Sequence, residues 1–324
     1  MMKKLLILWS CVALTAITSC DKEEYHRPNL SELISPAQDF TDPRDGSVYP
    51  CVRIGNQIWM TKNLCYQLPG HAFKGCFTWE EAYPNLERIK IALDDETFKT
   101  LALEVASDPQ YDWGLMGGNI ALWFDMELPQ ETIRNFFEYI PGFPDAFAAR
   151  ENKYKETPEA QEIIGKTLFD QAEEKNGHYT RKYGFLYSYK AALAAVPEGW
   201  RLPSDEDWMK LETTLGMPSG EAEKLEAWRG NGLATLLGEN GESGFNLQRG
   251  GANVFVEANE EKYLNKDEAG YYWSSTKFKE NDSTEVALFR MSALYSDRIW
   301  RGTSRITTGR RDVLYSVRCV REAR

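Results

Sequence analysis

Two kinds of hydrophobic spacing divide the chain. After the turn Asp45-Gly46-Ser47, β-branched and aromatic side chains dominate residues 48–54, and Gly55-Asn56 separates them from a second apolar run at 57–60. This pattern predicts a β-hairpin. Strand character returns in four later segments, at residues 271–275, 286–291, 299–302 and 314–320. Short strands joined by long loops predict an α+β fold with an antiparallel sheet.

Residues 67–182 show helical rather than strand-like spacing. Apolar side chains recur at the interval of one helix face at Phe98, Leu101, Ala102 and Val105. A second helix is predicted to begin after Pro129. Thr157 followed by Pro158 is typical of a third helix start, because threonine caps a helix and proline fits its first position. We therefore predict that residues 67–182 form a helical insertion.

A further helix is predicted after the segment Gly199-Trp200-Arg201-Leu202-Pro203. Ser204 is a natural N-cap, and Asp207 three residues later completes a capping box. The buried stripe of this helix is then formed by Trp208, Leu211 and Leu215, and the helix is expected to end near Gly216.

The first twenty residues predict export and lipid attachment. A short basic start is followed by an apolar stretch at residues 5–17, which has signal-peptide length and is too short to span a bilayer as a helix. Ala16-Ile17-Thr18-Ser19-Cys20 is similar to a bacterial lipobox. Residues 1–19 are thus interpreted as a signal peptide, and Cys20 as the acylated (palmitate-type) residue that anchors the protein to a membrane. The alternative is an ordinary secretory signal with a chance cysteine.

The charged residues after Cys20 indicate where the lipid-anchored protein is located. The tetrad Asp21-Lys22-Glu23-Glu24 resembles the acidic signal that directs some lipoproteins to the outer face of the outer membrane, while the alternative is a solvated linker. We expect a lipid-anchored protein facing the cell exterior, with residues 20–41 as a tether. Without Lys3 and Lys4, the 38 basic residues fall to 36 against 49 acidic ones, a net charge of −13. Such a charge argues against a nucleic-acid partner.

Cysteine usage fits an exported protein. Besides Cys11 in the signal peptide and Cys20, four cysteines remain, at positions 51, 65, 76 and 319. Four thiols in an oxidising space suggest two disulfides with three possible connectivities. We favour Cys65–Cys76, a short loop, together with Cys51–Cys319, which would tie the two ends of the domain. The alternative is four reduced, buried thiols.

Several segments together resemble the Fibrobacter succinogenes major paralogous domain, a family of exported bacterial lipoproteins. The matching segments are Asp45-Gly46 with Tyr49, residues 54–64, Tyr183-Gly184-Phe185-Leu186-Tyr187, Gly199-Trp200-Arg201-Leu202-Pro203-Ser204 with Trp208, Tyr272-Trp273-Ser274-Ser275, and Ser316-Val317-Arg318-Cys319-Val320. The resemblance does not cover the helical stretch between Leu64 and Tyr183.

The resemblance implies a domain formed by residues 42–66 and 183–322, interrupted by the insertion at 67–182. It also implies a C-type-lectin-like fold, in which two helices flank a small twisted antiparallel sheet and the chain ends pair. A Cys51–Cys319 bridge would suit that arrangement. The Gly-Trp-Arg-Leu-Pro element is similar to the formylglycine-generating and sulfatase-modifying proteins as well. Those enzymes use two late cysteines, whereas Cys319 stands alone here, so their activity is not implied.

The sequence offers little for catalysis. Gly-x-Ser-x-Gly, P-loop, His-Glu-x-x-His and Cys-x-x-Cys motifs do not occur, and the three histidines are scattered. We therefore expect no enzyme activity, no cofactor and no metal site. With 49 acidic residues, an apparent carboxylate pair would mean little, and an uncharacterised hydrolase is the least favoured function. The Glu-Pro-Asn, Gln-Pro-Asp and Trp-Asn-Asp triplets of calcium-dependent lectins are also missing.

Non-catalytic recognition, with a glycan as ligand, is the favoured function. Trp300 lies among Arg298, Arg301 and Arg305, and Arg310-Arg311 follow. This mixture could stack on a sugar ring and pair with carboxylates. The alternative is that these arginines face solvent or balance nearby acids. The second candidate function is a structural or adhesin-type subunit that binds a surface protein through the insertion, and a large exposed apolar patch there would favour it.

Overall fold

The computed structural model describes residues 28–81, 95–110, 115–255, 261–281, 284–306 and 313–323. The predictions for the signal peptide, for Cys20 and the acidic tetrad, and for Arg310 and Arg311 fall outside these ranges. Among the described helices, none combines the length and the apolar character that crossing a membrane requires.

The chain is a mixed α+β fold with several small antiparallel sheets. The strands are β1 (Ile34–Thr41), β2 (Val48–Ile54), β3 (Gln57–Met60), β4 (Cys76–Phe77), β5 (Leu186–Tyr187), β6 (Ala227–Arg229), β7 (Ala252–Phe255), β8 (Glu261–Leu264), β9 (Ala269–Asn281), β10 (Thr284–Ala293), β11 (Ile299–Arg305) and β12 (Val320–Glu322). The α-helices are α1 (Leu30–Leu33), α2 (Asp95–Ala106), α3 (Leu115–Asp125), α4 (Gln130–Phe137), α5 (Phe143–Lys155), α6 (Pro158–Lys175), α7 (Tyr179–Tyr183), α8 (Tyr189–Ala195), α9 (Asp205–Thr214), α10 (Ser219–Ala222) and α11 (Leu233–Leu237).

The first sheet has the order β1-β2-β3-β12, so it joins the two ends of the described chain. The predicted hairpin is confirmed, with Cys51 opposite Met60 and Ile54 opposite Gln57. Residues 34–41, expected to belong to a tether, instead form β1, which pairs with β2 along its length. A strand at a sheet edge tolerates the proline and charged residue that made this segment look like a linker.

The second sheet has the order β6-β11-β10-β9 and contains the predicted strands at 271–275, 286–291 and 299–302. The predicted strand at 314–320 differs, because only its last residue belongs to β12. Earlier residues make isolated bridges, Tyr315 with Tyr187 and Ser316 with Tyr272. This segment changes hydrogen-bond partners from the second sheet to the first, so it cannot form one continuous strand.

Helix α9 lies between the two sheets. The predicted capping box is present, since the Ser204 hydroxyl accepts from the Asp207 amide while the Asp207 carboxylate accepts from the Ser204 amide. Trp208 packs 5.0 Å from Trp59 of the first sheet and 6.1 Å from Tyr272 of the second, measured between ring centroids. The core includes four buried tryptophans, Trp59, Trp200, Trp208 and Trp273.

Helices α2 to α5 form a region with a hydrophobic core of its own. Phe98 is fully buried there against Phe137 and Phe147, with centroid distances of 5.9 and 5.6 Å. Helices occur where Pro129 and Thr157 predicted them, and the Thr157 hydroxyl caps α6 by accepting from an amide of its first turn. The stretch 67–182 is not purely helical, because β4 within it pairs with β5.

The predicted Cys51–Cys319 disulfide is not formed, and both residues are free thiols. Strand β3 separates them: Cys51 lies opposite Met60, and the Met60 amide donates to the Cys319 carbonyl oxygen at 3.1 Å. Two strand spacings put the two cysteine backbones roughly 9.6 Å apart, beyond the roughly 7 Å that a disulfide can bridge. The sheet order thus excludes this pairing.

Cys65 and Cys76 are free thiols as well, so the second predicted disulfide is not formed either. The Cys65 thiol donates to the Thr180 carbonyl oxygen at 3.4 Å, and the Cys76 thiol to that of Tyr66 at 4.0 Å. Burial raises the pKa of Cys65 to about 11 and the pKa of Cys76 well above its ordinary value. Disulfide exchange needs the thiolate, which burial disfavours at both sites.

Candidate functional site

The arginines of the predicted binding stretch are spread over different surfaces, because residues 299–305 form strand β11 and successive side chains of a strand point to opposite faces. Arg301 points toward α9, where its Nη2 lies 2.5 Å from Asp205 Oδ2 and its Nη1 donates to the Glu223 carbonyl oxygen at 2.7 Å. Arg301 is therefore held by the protein itself, as the alternative interpretation of these arginines expected.

The other two arginines also stand apart from Trp300. Arg298 is exposed and donates from Nη2 to the Asn231 side-chain oxygen at 3.2 Å. Arg305 lies at the end of β11, with its Nε 3.8 Å from Glu280 Oε2 in a largely exposed ion pair. Trp300, Arg298, Arg301 and Arg305 consequently do not converge on one ligand.

Trp300 instead belongs to a row of side chains that crosses the second sheet. Trp300 lies directly opposite Trp228 of β6 on one side and Met291 of β10 on the other, and Met291 lies opposite Tyr271 of β9. Directly opposed residues of antiparallel strands share one face. All four side chains are half-buried, and we call this row, together with the adjoining Tyr295, the aromatic surface.

Tyr295 extends the aromatic surface into the loop after β10. Its side chain is 78% exposed, and its ring lies 5.8 Å from the Trp228 ring at 73°. Trp228 in turn contacts Trp300 at 5.7 Å and 64°. Edge-to-face contacts of this kind stabilise the three rings against one another. The result is a solvent-accessible set of aromatic rings in fixed relative orientations.

Gly302 makes room for the Trp300 indole. A Cβ atom at Gly302 would lie 2.4 Å from Trp300 Nε1 and 2.9 Å from the Phe289 ring. The indole thus occupies the space that a side chain two residues further along the same face would fill. A strand glycine has this use where another group approaches the backbone closely.

A hollow of about 270 Å³ adjoins Tyr295 and supplies polar groups. Its lining includes Thr235, Arg249, Ser296 and Asp297. Arg249 Nε is buried without a hydrogen-bond partner, and Asp297 Oδ2 accepts from the Gly232 amide at 3.2 Å. The exposed Tyr295 ring therefore lies beside guanidinium, carboxylate and hydroxyl groups.

The inner end of the row is firmly supported. Tyr315 stacks on Tyr271 with 5.3 Å between centroids and 18° between planes, and it also contacts Phe289 at 5.1 Å. Burial raises the pKa of Tyr271, whose hydroxyl accepts from the Asn265 side-chain amide at 2.7 Å. The Tyr271 hydroxyl is therefore neutral at physiological pH and fixed in position.

A buried charge network supports the sheet from the opposite face. Arg290 of β10 reaches α9, with its Nε 2.6 Å from Glu212 Oε1 and its Nη1 2.8 Å from Asp205 Oδ1. Arg229 of β6 binds the same Glu212 carboxylate, at 2.8 Å from Nη1 to Oε2. Together with the Arg301–Asp205 pair, these contacts fix α9 to the strands that carry Trp228, Met291 and Trp300.

The pKa shifts in this network have clear causes. Burial raises the pKa of Asp205, but hydrogen bonds and charge from Arg301 and Arg290 outweigh that effect, so the pKa lies below its ordinary value. Burial lowers the pKa of Arg229, against the opposing charge of Glu212. Asp205 thus stays ionised at neutral pH, as a stable partner for its arginines.

Nothing in the described ranges gathers three or more histidine, cysteine, aspartate or glutamate side chains in a way that could hold a metal ion. The thiols are poor nucleophiles, because burial raises the pKa of Cys51 to about 11 and that of Cys319 to about 12. The arrangement at the aromatic surface is suited to binding through ring stacking and hydrogen bonds.

Sequence reasoning identified Trp300 but missed Trp228, Met291, Tyr271 and Tyr295 as its neighbours. Period-two alternation along residues 298–302 would have separated Trp300 from Arg301. The pairing of β6 with β11 could not be foreseen, because Ala227–Arg229 is only three residues long.

A family model described as the Fibrobacter succinogenes major domain matches residues 146–321, which is more than half of the chain. The match begins inside α5, so it includes α6 and α7 from the stretch predicted as an insertion, and it contains every residue of the aromatic surface. No curated protein and no solved structure matches the chain.

Proposed function

Since the chain belongs to the Fibrobacter succinogenes major domain family, we propose that it is a non-catalytic, glycan-binding lipoprotein, anchored in the outer membrane and facing the cell exterior. The observation that carries the binding role is the aromatic surface, where Trp228 and Trp300 lie opposite each other and Tyr295 projects into solvent. The proposed location is supported by the lipobox-like segment ending at Cys20 and by the acidic tetrad after it.

The chemistry of a sugar ring matches the composition of this surface. A pyranose has apolar C–H faces, which stack on aromatic rings, and a rim of hydroxyl groups, which need hydrogen-bond partners. Binding sites of this kind combine apolar lining with a few placed polar groups. Three strand spacings separate Trp228 from Tyr271, so the row is roughly 14 Å long and can contact more than one sugar unit.

A C-type-lectin-like relationship is part of this proposal. It is supported by the pairing of β12 with β3, which brings the last described strand onto the first hairpin. The proposed sugar contact does not depend on calcium, because the calcium-binding triplets of the sugar-binding lectins do not occur in the sequence.

Replacing Tyr295 by alanine is expected to weaken glycan binding at least about tenfold, because stacking area and an exposed hydroxyl are both lost. The purified protein would first be screened on a broad glycan array, with calcium and with a chelator. The affinity for the best glycan would then be measured by calorimetry for Tyr295→Ala and Trp300→Ala.

The matched control is Tyr139→Ala, since Tyr139 is 79% exposed but lies after α4 in the helical region. It should bind as the unchanged protein does. A blank array in both conditions, or equal losses for Tyr295→Ala and Tyr139→Ala, would remove the support for this function.

A second candidate function follows from an exposed apolar patch on α3 and α4. Its members are Leu122, Trp123, Met126, Phe136 and Tyr139, four of them exposed by 45–79%. The Trp123 and Phe136 rings lie 4.9 Å apart, tilted by 32°. Solvent-exposed apolar groups of this size, gathered in one place, commonly mark protein–protein contacts.

The rim of the apolar patch indicates the kind of partner. Four exposed carboxylates lie on the same two helices or directly after them, from Asp125, Glu127, Glu131 and Glu138. Two copies of this chain would bring like charges together, which disfavours self-association. The complementary partner is another protein, whose apolar site is bordered by lysine or arginine.

A photo-crosslinking residue in place of Tyr139 is expected to give one discrete adduct with another protein in the producing bacterium, and Phe136→Glu should abolish that adduct. The same crosslinker at Leu193, an exposed position on α8, is the control. No adduct, or a dimer of the chain itself, would contradict this second function.

A further inference from the structure

A groove of about 720 Å³ lies on the first sheet, whereas the aromatic surface lies on the second. Its lining includes Arg53 of β2, Ile58 of β3 and Arg321 of β12. Each lies directly opposite the next across the sheet, so the three side chains project from the same face. The walls come from residues 35–38 of β1 and 199–201 of the following loop.

The floor of the groove is apolar. Ile58 of β3 is half-buried between β2 and β12, which carry Arg53 and Arg321. Pro36 and Ala37 of β1 line the same space. The opposite face of this sheet packs through Trp59 and Val52 into the core around α9. Pleating therefore places Trp59 and Val52 inside and leaves Arg53, Ile58 and Arg321 on the accessible side.

The Arg321 side chain lies over an aromatic ring and has no acidic partner among the described residues. Its guanidinium carbon lies 4.7 Å above the Trp200 ring, and its Nε is buried without a hydrogen-bond partner. No carboxylate among the described residues forms an ion pair with it. A guanidinium stacked on an aromatic ring keeps its planar edge free for bidentate contacts.

Arg53 offers a second guanidinium without an acidic partner in the described part of the chain. Its Nε donates to the Gly55 carbonyl oxygen at 3.0 Å, which leaves the two terminal nitrogens for other contacts. Arg201, also at the groove, is already neutralised by Asp207 and Glu322, at 2.5 and 2.8 Å. Two uncompensated positive charges face one apolar floor in a protein whose net charge is −11.

We propose that this groove binds a carboxylate ligand, with Arg53 and Arg321 holding carboxylate groups and Ile58 contacting the carbon skeleton. Arginine edges match carboxylates in a bidentate manner. Phosphate sites usually add a helix N-terminus or a nest of backbone amides, and the lining of the groove provides neither. The backbones of Arg53 and Arg321 are roughly 9.6 Å apart, so the two long side chains can approach one ligand across Ile58.

Two sources can supply this chemistry: the uronic acids of a glycan, or a free dicarboxylic acid. The probes are trigalacturonate, glutarate and inorganic phosphate, each titrated calorimetrically into the purified full chain at low and high salt. Either carboxylate should bind with salt-sensitive affinity, because both guanidinium groups are accessible. Tighter binding of trigalacturonate assigns the site to acidic glycans, and tighter binding of glutarate assigns it to small acids.

Arg53→Gln and Arg321→Gln should each weaken carboxylate binding at least about tenfold, and Arg53→Lys should retain part of it. Arg305→Gln is the control, an arginine that is largely exposed on the other sheet. Arg53 is itself exposed, so its replacement tests the site without a risk to folding. Phosphate binding as tight as that of the carboxylates, no binding of any probe, or binding unchanged in both glutamine variants would overturn the proposal.

Discussion

Glu212→Gln is expected to lower the free energy of unfolding by about 3–5 kcal/mol, the usual effect of removing one partner of a buried ion pair. The Glu212 carboxylate is buried and binds Arg229 and Arg290 at once. Glutamine keeps the shape of the side chain but removes its charge. Arg229 would then lose the carboxylate that it binds, and Arg290 would keep only that of Asp205, which Arg301 also binds.

Urea unfolding followed by circular dichroism measures this change. Glu206→Gln is the matched control, because Glu206 lies in the first turn of the same helix but is exposed, so its replacement should change the unfolding free energy by less than about 0.5 kcal/mol. A loss of under about 1 kcal/mol for Glu212→Gln would show that this network is not the main link between α9 and the second sheet.

Arg318→Met is expected to destabilise the fold by a similar amount, about 3–5 kcal/mol, for a different reason. Arg318 is fully buried, and its guanidinium donates to the carbonyl oxygens of Met60, Phe245 and Asn246 at 2.8–3.0 Å and to the Asn63 side-chain oxygen at 2.8 Å. Methionine fills part of the volume but donates nothing. Four buried oxygens would lose a charged donor, and each loss costs about 1–3 kcal/mol when the oxygen finds no other partner.

Arg318→Lys separates charge from geometry. Lysine keeps the positive charge, but its compact ammonium group cannot reach four oxygens as the planar guanidinium does, so an intermediate loss is expected. Arg305→Met, at a largely exposed position, should be nearly neutral. If Arg318→Lys were as stable as the unchanged protein, the charge alone, rather than the fork of donors, would account for the role of this residue.

Local signals in the sequence predicted local elements well. The capping box at Ser204 and Asp207, the Thr157-Pro158 helix start and the Gly55-Asn56 turn each depend on residues within one or two turns of chain. The interactions that stabilise these elements lie within the segment itself, so the sequence is sufficient to place them.

Non-local pairing was harder to foresee. Strand β1 carries no clean alternation and contains Pro36, so only its partner β2 makes it a strand. The sheet order puts β3 between Cys51 and Cys319, and no count of cysteines could reveal that separation. Distances of this kind are set by the assembled sheet rather than by any segment of the sequence.

The candidate site shows the same division. Trp300 stood out in the sequence because it is a tryptophan in a basic stretch, yet its actual neighbour Trp228 lies on a three-residue strand with no recognisable pattern. The arginines beside Trp300 alternate to the other face or leave the strand. Composition thus identified one residue of the aromatic surface, and pairing across the sheet supplied the others.

The order of strands in the first sheet also determines when that sheet can be completed during folding. Residues 57–59 of β3 pair with residues 320–322 of β12, and Arg318 closes over Met60 and Asn63. In a chain made from its amino terminus, the edge of β3 therefore stays open until residues 320–322 have been synthesised. Contacts between such distant residues form slowly, since a long loop must close first. The first sheet is therefore expected to be completed late in folding, after the chain between β3 and β12 has been synthesised.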